Sequence, residues 1–449
     1  MKKAVIAVFD VGKTNKKLFL FDESYRIVFE RVASFAETTD EDGYPCENLN
    51  SLRLWVFDSL EEVFSQDDFD IRAINFSAYG ASLVYVDEEG SALAPLYNYL
   101  KPYPEDLLDA FYHKYGGRDQ LASETASPVL GSLNSAMQLY RIKQEQEELF
   151  SKTRYALHLP QFLSSLITGK FYSDITSIGC HTHLWDFRKS TYHQWVEEEG
   201  ILPKLAPLVA SDSVFPALFP QAGVVVGPGL HDSSAALIPY LLNFHEPFVL
   251  ISTGTWCISF NPFNSTPLSR TELTNDCLCY LQYGGRPVKA SRVFAGHIHE
   301  TEVKRIAAHF NTSVSRYRQL KFNSSYVTYL DRAQADKPFP KRELSDFETD
   351  DKAYHSLIAY LVMMQKRSTE LVSSDSGVKR IFVDGGFSKN SIYMNYLSAA
   401  FPDMEVFGAS IPQATAIGTA MSIHRSWNKK AFPTDLIELK YYAAPFEKS

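Results

Sequence analysis

Apolar residues along this chain fall into short blocks divided by glycine, proline and polar turns, and the spacing inside each block sets the element it predicts. Residues 4–9 form a continuous apolar run ended by Asp10-Val11-Gly12-Lys13-Thr14-Asn15, after which 17–21 resume a strand pattern. Residues 248–251 repeat the arrangement, passing through Ser252-Thr253-Gly254-Thr255 into a second run at 256–260. Two hairpins of one design, one in each half, point to an internal duplication in which each hairpin opens a domain. The expected division is therefore 1–244 and 245–449.

Between and after the hairpins, strand and helix patterns alternate. Residues 72–76 and 83–86 predict strands, and 132–150 carries helical apolar spacing into an acidic, glutamine-rich tail at 144–148. Further on, 357–372 predicts a helix, 380–383 a strand, 392–401 a helix, 404–407 a strand and 414–424 a helix. Such alternation predicts α/β layers. The stretch 333–352, with Pro338, Pro340 and alternating charges, predicts a surface loop or insertion.

Size and composition narrow the class. At 449 residues the chain exceeds the roughly 250–300 that one hydrophobic core serves, which agrees with two domains. A 45% hydrophobic share with 22% charged residues excludes disorder for most of it. Lys+Arg 44 against Asp+Glu 53 gives −9, so neither nucleic acid nor an anionic membrane is an expected partner. Any bound polyanion must meet a local positive site. Five cysteines (Cys46, Cys180, Cys257, Cys277, Cys279) are an odd, sparse set that speaks against a disulfide framework and for a reducing cytoplasm. The Cys277-x-Cys279 pair lacks a second pair at zinc-binding distance and reads as thiols of a strand. No apolar run approaches the roughly 18 residues of a membrane span, and Asp10 ends the first run short of a secretory core.

Four motifs carry candidate chemistry. Asp10 closes a buried strand beside a glycine turn, which suits either a plain hairpin or a phosphate site where backbone N–H groups approach an anion and the carboxylate holds Mg²⁺. Lys13, Lys16 and Lys17 add positive charge there. Ser252-Thr253-Gly254-Thr255 offers hydroxyls and a glycine in the same way, and two such hairpins from two domains suit the phosphate chain of a nucleotide held in a cleft. Gly227-Pro-Gly229-Leu-His231-Asp232-Ser233-Ser234 sets Asp232 at the start of a helix of small residues, either as an ordinary cap or as a base beside a transferring phosphoryl group. Asp384-Gly385-Gly386-Phe-Ser-Lys-Asn390 runs from a strand through a double glycine into a helix. There bare backbone can accept a flat heterocycle, and Asn390 can bond it or cap the helix.

In order and spacing these elements resemble the FGGY family of carbohydrate kinases over nearly the whole chain. Leu166-Ile-Thr168-Gly169-Lys170-Phe171 with Ser173-Asp174, then Thr182-His-Leu184-Trp-Asp186, Trp195, Gly200-Ile201 and 205–208, are similar to successive stretches of that family. Ala414-Thr-Ala-Ile-Gly418-Thr-Ala420 looks like its closing helix. His231-Asp232-Ser233 and Ile251-Ser-Thr-Gly-Thr-Trp256 look most like the rhamnulokinase branch, with fuculose kinases next.

The resemblance implies two actin-like ATPase (ribonuclease H-like) α/β domains with an interdomain cleft, an N-terminal sugar-binding domain and a C-terminal nucleotide-binding one. It implies transfer of the ATP γ-phosphoryl group to a hydroxyl of a ketose, at C1 of a 6-deoxy-ketose such as L-rhamnulose or L-fuculose. ATP, Mg²⁺ and a small sugar are the expected ligands, and a homodimer is one assembly open to it. Asp232 is implied as the base, with His231, Ser233 and Gly80 (in Ser77-Ala-Tyr-Gly80) lining the sugar site and Arg292 beside them. Gly12, Lys13, Thr14, Asn15 and Lys17 match the phosphate loop, Gly254, Thr255, Gly385, Gly386 and Asn390 the rest of the ATP site, and Asp10 the neighbourhood of Mg²⁺.

Three departures stand out. Lys13 replaces a small or hydroxyl residue and Gln413 replaces a glutamate. The stretch 289–300 lacks the Asn and Gln of rhamnulokinases, with Arg292 and His299 or Glu300 nearby instead. The sugar site is therefore where this chain's specificity diverges.

Other readings compete. A kinase for another ketose or polyol, such as xylulose or ribulose, is one alternative. A non-catalytic sugar or nucleotide sensor shares the fold, although the base and both turns are intact. His181-Thr-His183 and His297-Ile-His299 have a spacing that on strands points both rings to one face, and with His231-Asp232 they suggest a metallohydrolase, which leaves the phosphate turns unexplained.

Overall fold

A computed structural model describes residues 2–218, 223–335, 337–374 and 376–444. Two seven-stranded sheets organise them. In the first, Lys3–Val11 pairs antiparallel with Lys16–Asp22, which pairs with Ile27–Ala33; on its other side it pairs parallel with Phe69–Ala78. Leu230–His231 lies alongside the far end of Phe69–Ala78. The second sheet repeats the plan: Phe248–Thr253 pairs antiparallel with Cys257–Asn261 and parallel with Arg380–Gly385. Both expected hairpins are therefore present, each beside a parallel strand.

The opening run is continuously apolar because both faces of its strand are covered. Val5, Ala7, Phe9 and Val11 pack into one core with the helix Leu49–Phe64. Ile6 and Val8 pack into another that spans the two halves, taking in Leu230, Ala235, Leu250, Tyr280 and Ala420. At the centre of this second core the helices Asp232–Asn243 and Ala414–Ser422 cross closely: a Cβ added at Gly418 would stand 1.9 Å from the Ala235 carbonyl oxygen. Asn75, fully buried, ties the same region together. Its Nδ2 donates to the Thr419 carbonyl (2.9 Å) and Ser422 Oγ (3.1 Å), and its Oδ1 accepts from the N–H groups of Phe76 (2.9 Å) and Gly229 (3.1 Å).

Two expectations need correction. The helix expected over 132–150 is a short turn at Gly131–Leu133 and two helices, Ser135–Glu145 and Glu147–Lys152. Gln146 leaves helical geometry at φ −135°, and the reset phase turns Leu149 and Phe150 onto the cluster around Phe111 and Trp195. The stretch 333–352 lies at the surface as expected, but it is structured and anchored rather than a plain loop. The helix Tyr329–Ala335 runs into its start, turns follow at Phe339–Lys341 and Leu344–Asp346, and Phe339, Leu344 and Phe347 are buried beside the helix Asp350–Ser373. Asp336 lies outside the described residues.

Adding a methyl at Gly418 presses on backbone, which cannot swing aside as a side chain can. Gly418→Ala is expected to destabilise the protein by about 1–3 kcal/mol, read as a lower urea midpoint with an unchanged slope.

Candidate active site

Strand register brings the two candidate carboxylates into one corner. Asp10 stands opposite Lys17 on one neighbouring strand and Ser77 on the other, and Ser77 Oγ donates to its Oδ1 at 3.0 Å. Leu230 and His231 pair with Ser77 and Ala78, and the chain turns at once into the helix Asp232–Asn243, so Asp232 occupies the helix's first position. Burial pushes Asp10 up to about 6, partly offset by the Ser77 bond and reinforced by the charge of Asp232. Burial likewise raises Asp232 to about 6, opposed by hydrogen bonds from Ser233 N (2.5 Å) and Ser233 Oγ (3.1 Å). Asp232 is nonetheless 34% exposed, so a ligand in the cleft can reach it.

His231 backs the carboxylate. Its Nε2 lies 3.2 Å from Asp232 Oδ1 and 3.0 Å from Cys180 Sγ. Burial drops its pKa to about 3, so the ring is neutral at pH 7 and its approach to Asp232 is not an ion pair. Gly80 leaves room for this ring: a Cβ there would stand 2.8 Å from Cys180 Sγ and 3.1 Å from His231 Nε2.

The first hairpin turn closes through Gly12 N donating to the Asn15 carbonyl (3.0 Å), with Thr14 and Asn15 exposed at its tip. The expected lysine cluster needs correction. Alternation turns Lys16 away from Lys17, and at 2% exposure it forms a buried ion pair with Glu47 (2.9 Å). Lys13 is paired with Glu37 at 2.9 Å. Lys17 remains beside Asp10, with Nζ 3.4 Å from Gln413 Oε1.

The second turn is pinned to the double glycine. Thr253 Oγ1 donates to the Asp384 carbonyl (2.5 Å) and accepts from Phe387 N (3.0 Å). Gly385 sits there at φ +87°. Gly254 N donates to the Trp256 carbonyl (3.0 Å), and Thr255 is exposed, its carbonyl accepting from His297 N at 3.2 Å. Gly254, Gly386 and Asn390 join Thr253, His299 and Tyr354 around a pocket of about 510 Å³, within the size range of small-molecule sites. Asn390 caps the next helix through Oδ1, to Ile392 N and Tyr393 N, and donates from Nδ2 to the Tyr354 hydroxyl (2.9 Å). Tyr240 on the Asp232 helix donates to Asp384 Oδ2 at 3.2 Å, linking that helix to this side. Arg292 is gripped by Asp276, through Nε (3.1 Å) and Nη2 (2.5 Å).

Tyr354 and Asp276 carry no sequence signal for these places, and Thr253, expected to offer its hydroxyl to a phosphate, spends it on Asp384 and Phe387. His299 had a signal, the H-x-H spacing, but that signal was misleading. His297 and His299 lie on the helix Ala295–His309, where residues two apart point to different sides. His181 and His183 sit in a turn at φ +39° and +65°, not on a strand; His183 bonds Tyr112 and Thr125, and His181 the Leu133 carbonyl. Among the described residues no group of three His, Cys, Asp or Glu is placed to hold a metal ion.

Residues 5–238 match the N-terminal domain of the FGGY family of carbohydrate kinases, and residues 245–431 match the carbohydrate kinase FGGY C-terminal domain. An L-fuculokinase of Escherichia coli (strain K12) is 24% identical over 274 residues, 57% of this chain and 56% of that protein. A rhamnulokinase of Oceanobacillus iheyensis is 20% identical over 277 residues, 58% and 56% of the two chains. The match thus spans little more than half the length of these curated relatives. A carbohydrate kinase from Novosphingobium aromaticivorans superposes with TM-score 0.78 at 23% identity, covering 99% of this chain and 95% of that one. A ligand-bound xylulose kinase from Lactobacillus acidophilus gives 0.80 at 14%, covering 98% and 94%. The fold is the two-domain actin-like α/β fold of these structures.

The raised carboxyl has a cost that pH exposes. Asp232 titrates near 6 folded but near 3.8 unfolded, so its ionised form weakens the fold above pH 6 and costs nothing below about pH 4. Asp232→Asn is therefore expected to raise the thermal midpoint at pH 8, the gain shrinking to nothing by pH 4. An equal midpoint at pH 8 would contradict the desolvated carboxylate.

Proposed function

The chain belongs to the FGGY family of carbohydrate kinases, and on that premise we propose that it transfers the γ-phosphoryl group of ATP to a hydroxyl of a ketose, preferably C1 of a 6-deoxy-ketose such as L-rhamnulose or L-fuculose. The observation that carries this reading is Asp232: a reachable carboxylate raised to about 6, on a helix N-terminus, in the same corner as the strand end of a glycine turn. In this reading residues 1–244 carry most of the sugar site, and 245–449 hold adenine in the pocket beside Gly386 and Asn390.

The chemistry follows from the chain's own groups. At pH 7 a carboxylate titrating near 6 is about nine-tenths ionised, yet it is a stronger base than a solvated aspartate. It accepts the sugar hydroxyl proton as that oxygen bonds to the γ-phosphorus and the bond to the ADP oxygen breaks. Ser233 holds the orientation of Asp232 through its N–H and Oγ, while His231, neutral, packs 3.2 Å from the carboxylate. Thr14 and Asn15 at one turn and Thr255 at the other supply exposed donors to the phosphates, whereas the N–H groups of Gly12 and Gly254, expected as donors, close their own turns. Lys13, tied to Glu37, contributes less charge than Lys17.

Asp10 fits a Mg²⁺ ligand: the ion takes one or two carboxylates plus phosphate oxygens, and Asp10 is a buried carboxylate at the phosphate turn with one oxygen held by Ser77. When bound, the ion offsets the negative charge of the transferring phosphate. A cytoplasmic setting is part of the proposal, supported by five free, buried cysteines.

The test is ADP release across L-rhamnulose, L-fuculose, xylulose and ribulose, with aldoses and sugar alcohols as controls. A 6-deoxy-ketose is expected to give the highest kcat/KM. If no sugar raises ADP release above background, the kinase reading fails and the sensor reading replaces it. Separately, Thr255→Val is expected to raise the KM for ATP several-fold more than that for sugar; equal effects would remove Thr255 from the nucleotide side.

A further inference from the structure

The strand Pro287–Val293 carries one face of the C-terminal sheet to the cleft. Val288 and Ala290 are buried on that face with Phe260, Leu278 and Tyr280, against Cys180 and Leu230 of the other half. Side chains alternate along a strand, so Arg292 shares the face, paired across to Ile258. Here the wall changes character. The Arg292 guanidinium lies over the Trp256 ring at 5.5 Å, and Trp256 packs on Phe294 at 4.5 Å while remaining 45% exposed. Next to them Tyr280 stacks on His231 at 5.5 Å, one residue from the base. An open aromatic plate, a guanidinium and the support of Asp232 thus line one side of the cleft.

Asp276 sets the charge of this wall. Its backbone is left-handed (φ +61°), a conformation that Asp and Asn tolerate better than most side chains. Its carboxylate takes two of the guanidinium's five N–H donors and cancels its charge. Three donors remain. A charge-cancelled guanidinium bonds hydroxyl oxygens well, whereas a carboxylate brought to it would also face Asp276. The Trp256 face meanwhile suits the C–H side of a sugar.

The geometry points to Trp256, Arg292 and Asp276 as the specificity wall of the acceptor site, one that accepts neutral polyhydroxylated acceptors and rejects those bearing a carboxylate. This rests on the kinase reading above and names the substrate class within it.

The test compares L-fuculose and L-rhamnulose with gluconate and glucuronate, by ADP release and by calorimetric binding without nucleotide. Wild-type protein is expected to prefer the neutral acceptors by about 100-fold or more. Asp276→Asn keeps the left-handed backbone but uncovers the Arg292 charge, and is expected to narrow that ratio at least about tenfold by improving the acids. Arg292→Gln is expected to raise the neutral-sugar KM by about 10- to 100-fold with the ATP KM unchanged. Acids used as well as neutral sugars by wild type, an unmoved ratio in Asp276→Asn or an unmoved sugar KM in Arg292→Gln would each overturn the inference while leaving the kinase reading intact. If no acceptor binds or raises ADP release, the kinase reading falls and takes this inference with it.

Discussion

A single buried amide holds the parts of the cleft in register. Asn75 uses both ends of its side chain, on the strand that borders Asp10, on the glycine loop that leads to Asp232, and on the closing helix that packs against the Asp232 helix. Because buried polar groups are costly when unpaired, this set of bonds permits little sliding among the three elements. The position of Asp232 is thus a consequence of the core that joins the two halves, where Gly418 lets the helices approach.

The same burial that orders the cleft shapes its electrostatics. Both carboxylates are raised towards neutrality, while His158, His181 and His231 are kept uncharged at pH 7, each for want of water around the ionised form. On the proposed reading, a chain of net charge −9 meets a polyphosphate in this setting. Lysines contribute less than their number at the first turn suggests, since Lys16 and Lys13 are neutralised by Glu47 and Glu37. Turn backbone, helix N-terminus and Lys17 are what the structure offers in their place.

Much of the fold could be seen in the chain because its decisive elements are local. The hairpins are continuous apolar runs around polar turns, and Asp232 stands out as a carboxylate opening a helix of small residues. What escaped depends on distance or direction. Phe339, Leu344 and Phe347 are single apolar residues among charges, and only the long helix that follows reveals why they are buried. Gln146 breaks a helix to serve a tertiary cluster. Tyr354 reaches Asn390 from a separate helix, and Asp276 meets Arg292 only through the register of the hairpin that pairs Cys277 with Ser291, which apolar spacing does not fix. Histidine pairs at matching spacing proved to belong to a turn and a helix, where ring direction follows backbone angles that spacing does not encode.

The central claim is that Asp232 is the base for phosphoryl transfer and has no part in holding nucleotide. Single-turnover transfer from ATP to the best ketose, measured beside equilibrium ATP binding in Asp232→Asn, tests it most directly. The account predicts a transfer rate lower by about 10²- to 10⁴-fold with ATP affinity within about threefold of wild type. A near-normal rate, or loss of ATP binding in step with the rate, would contradict it.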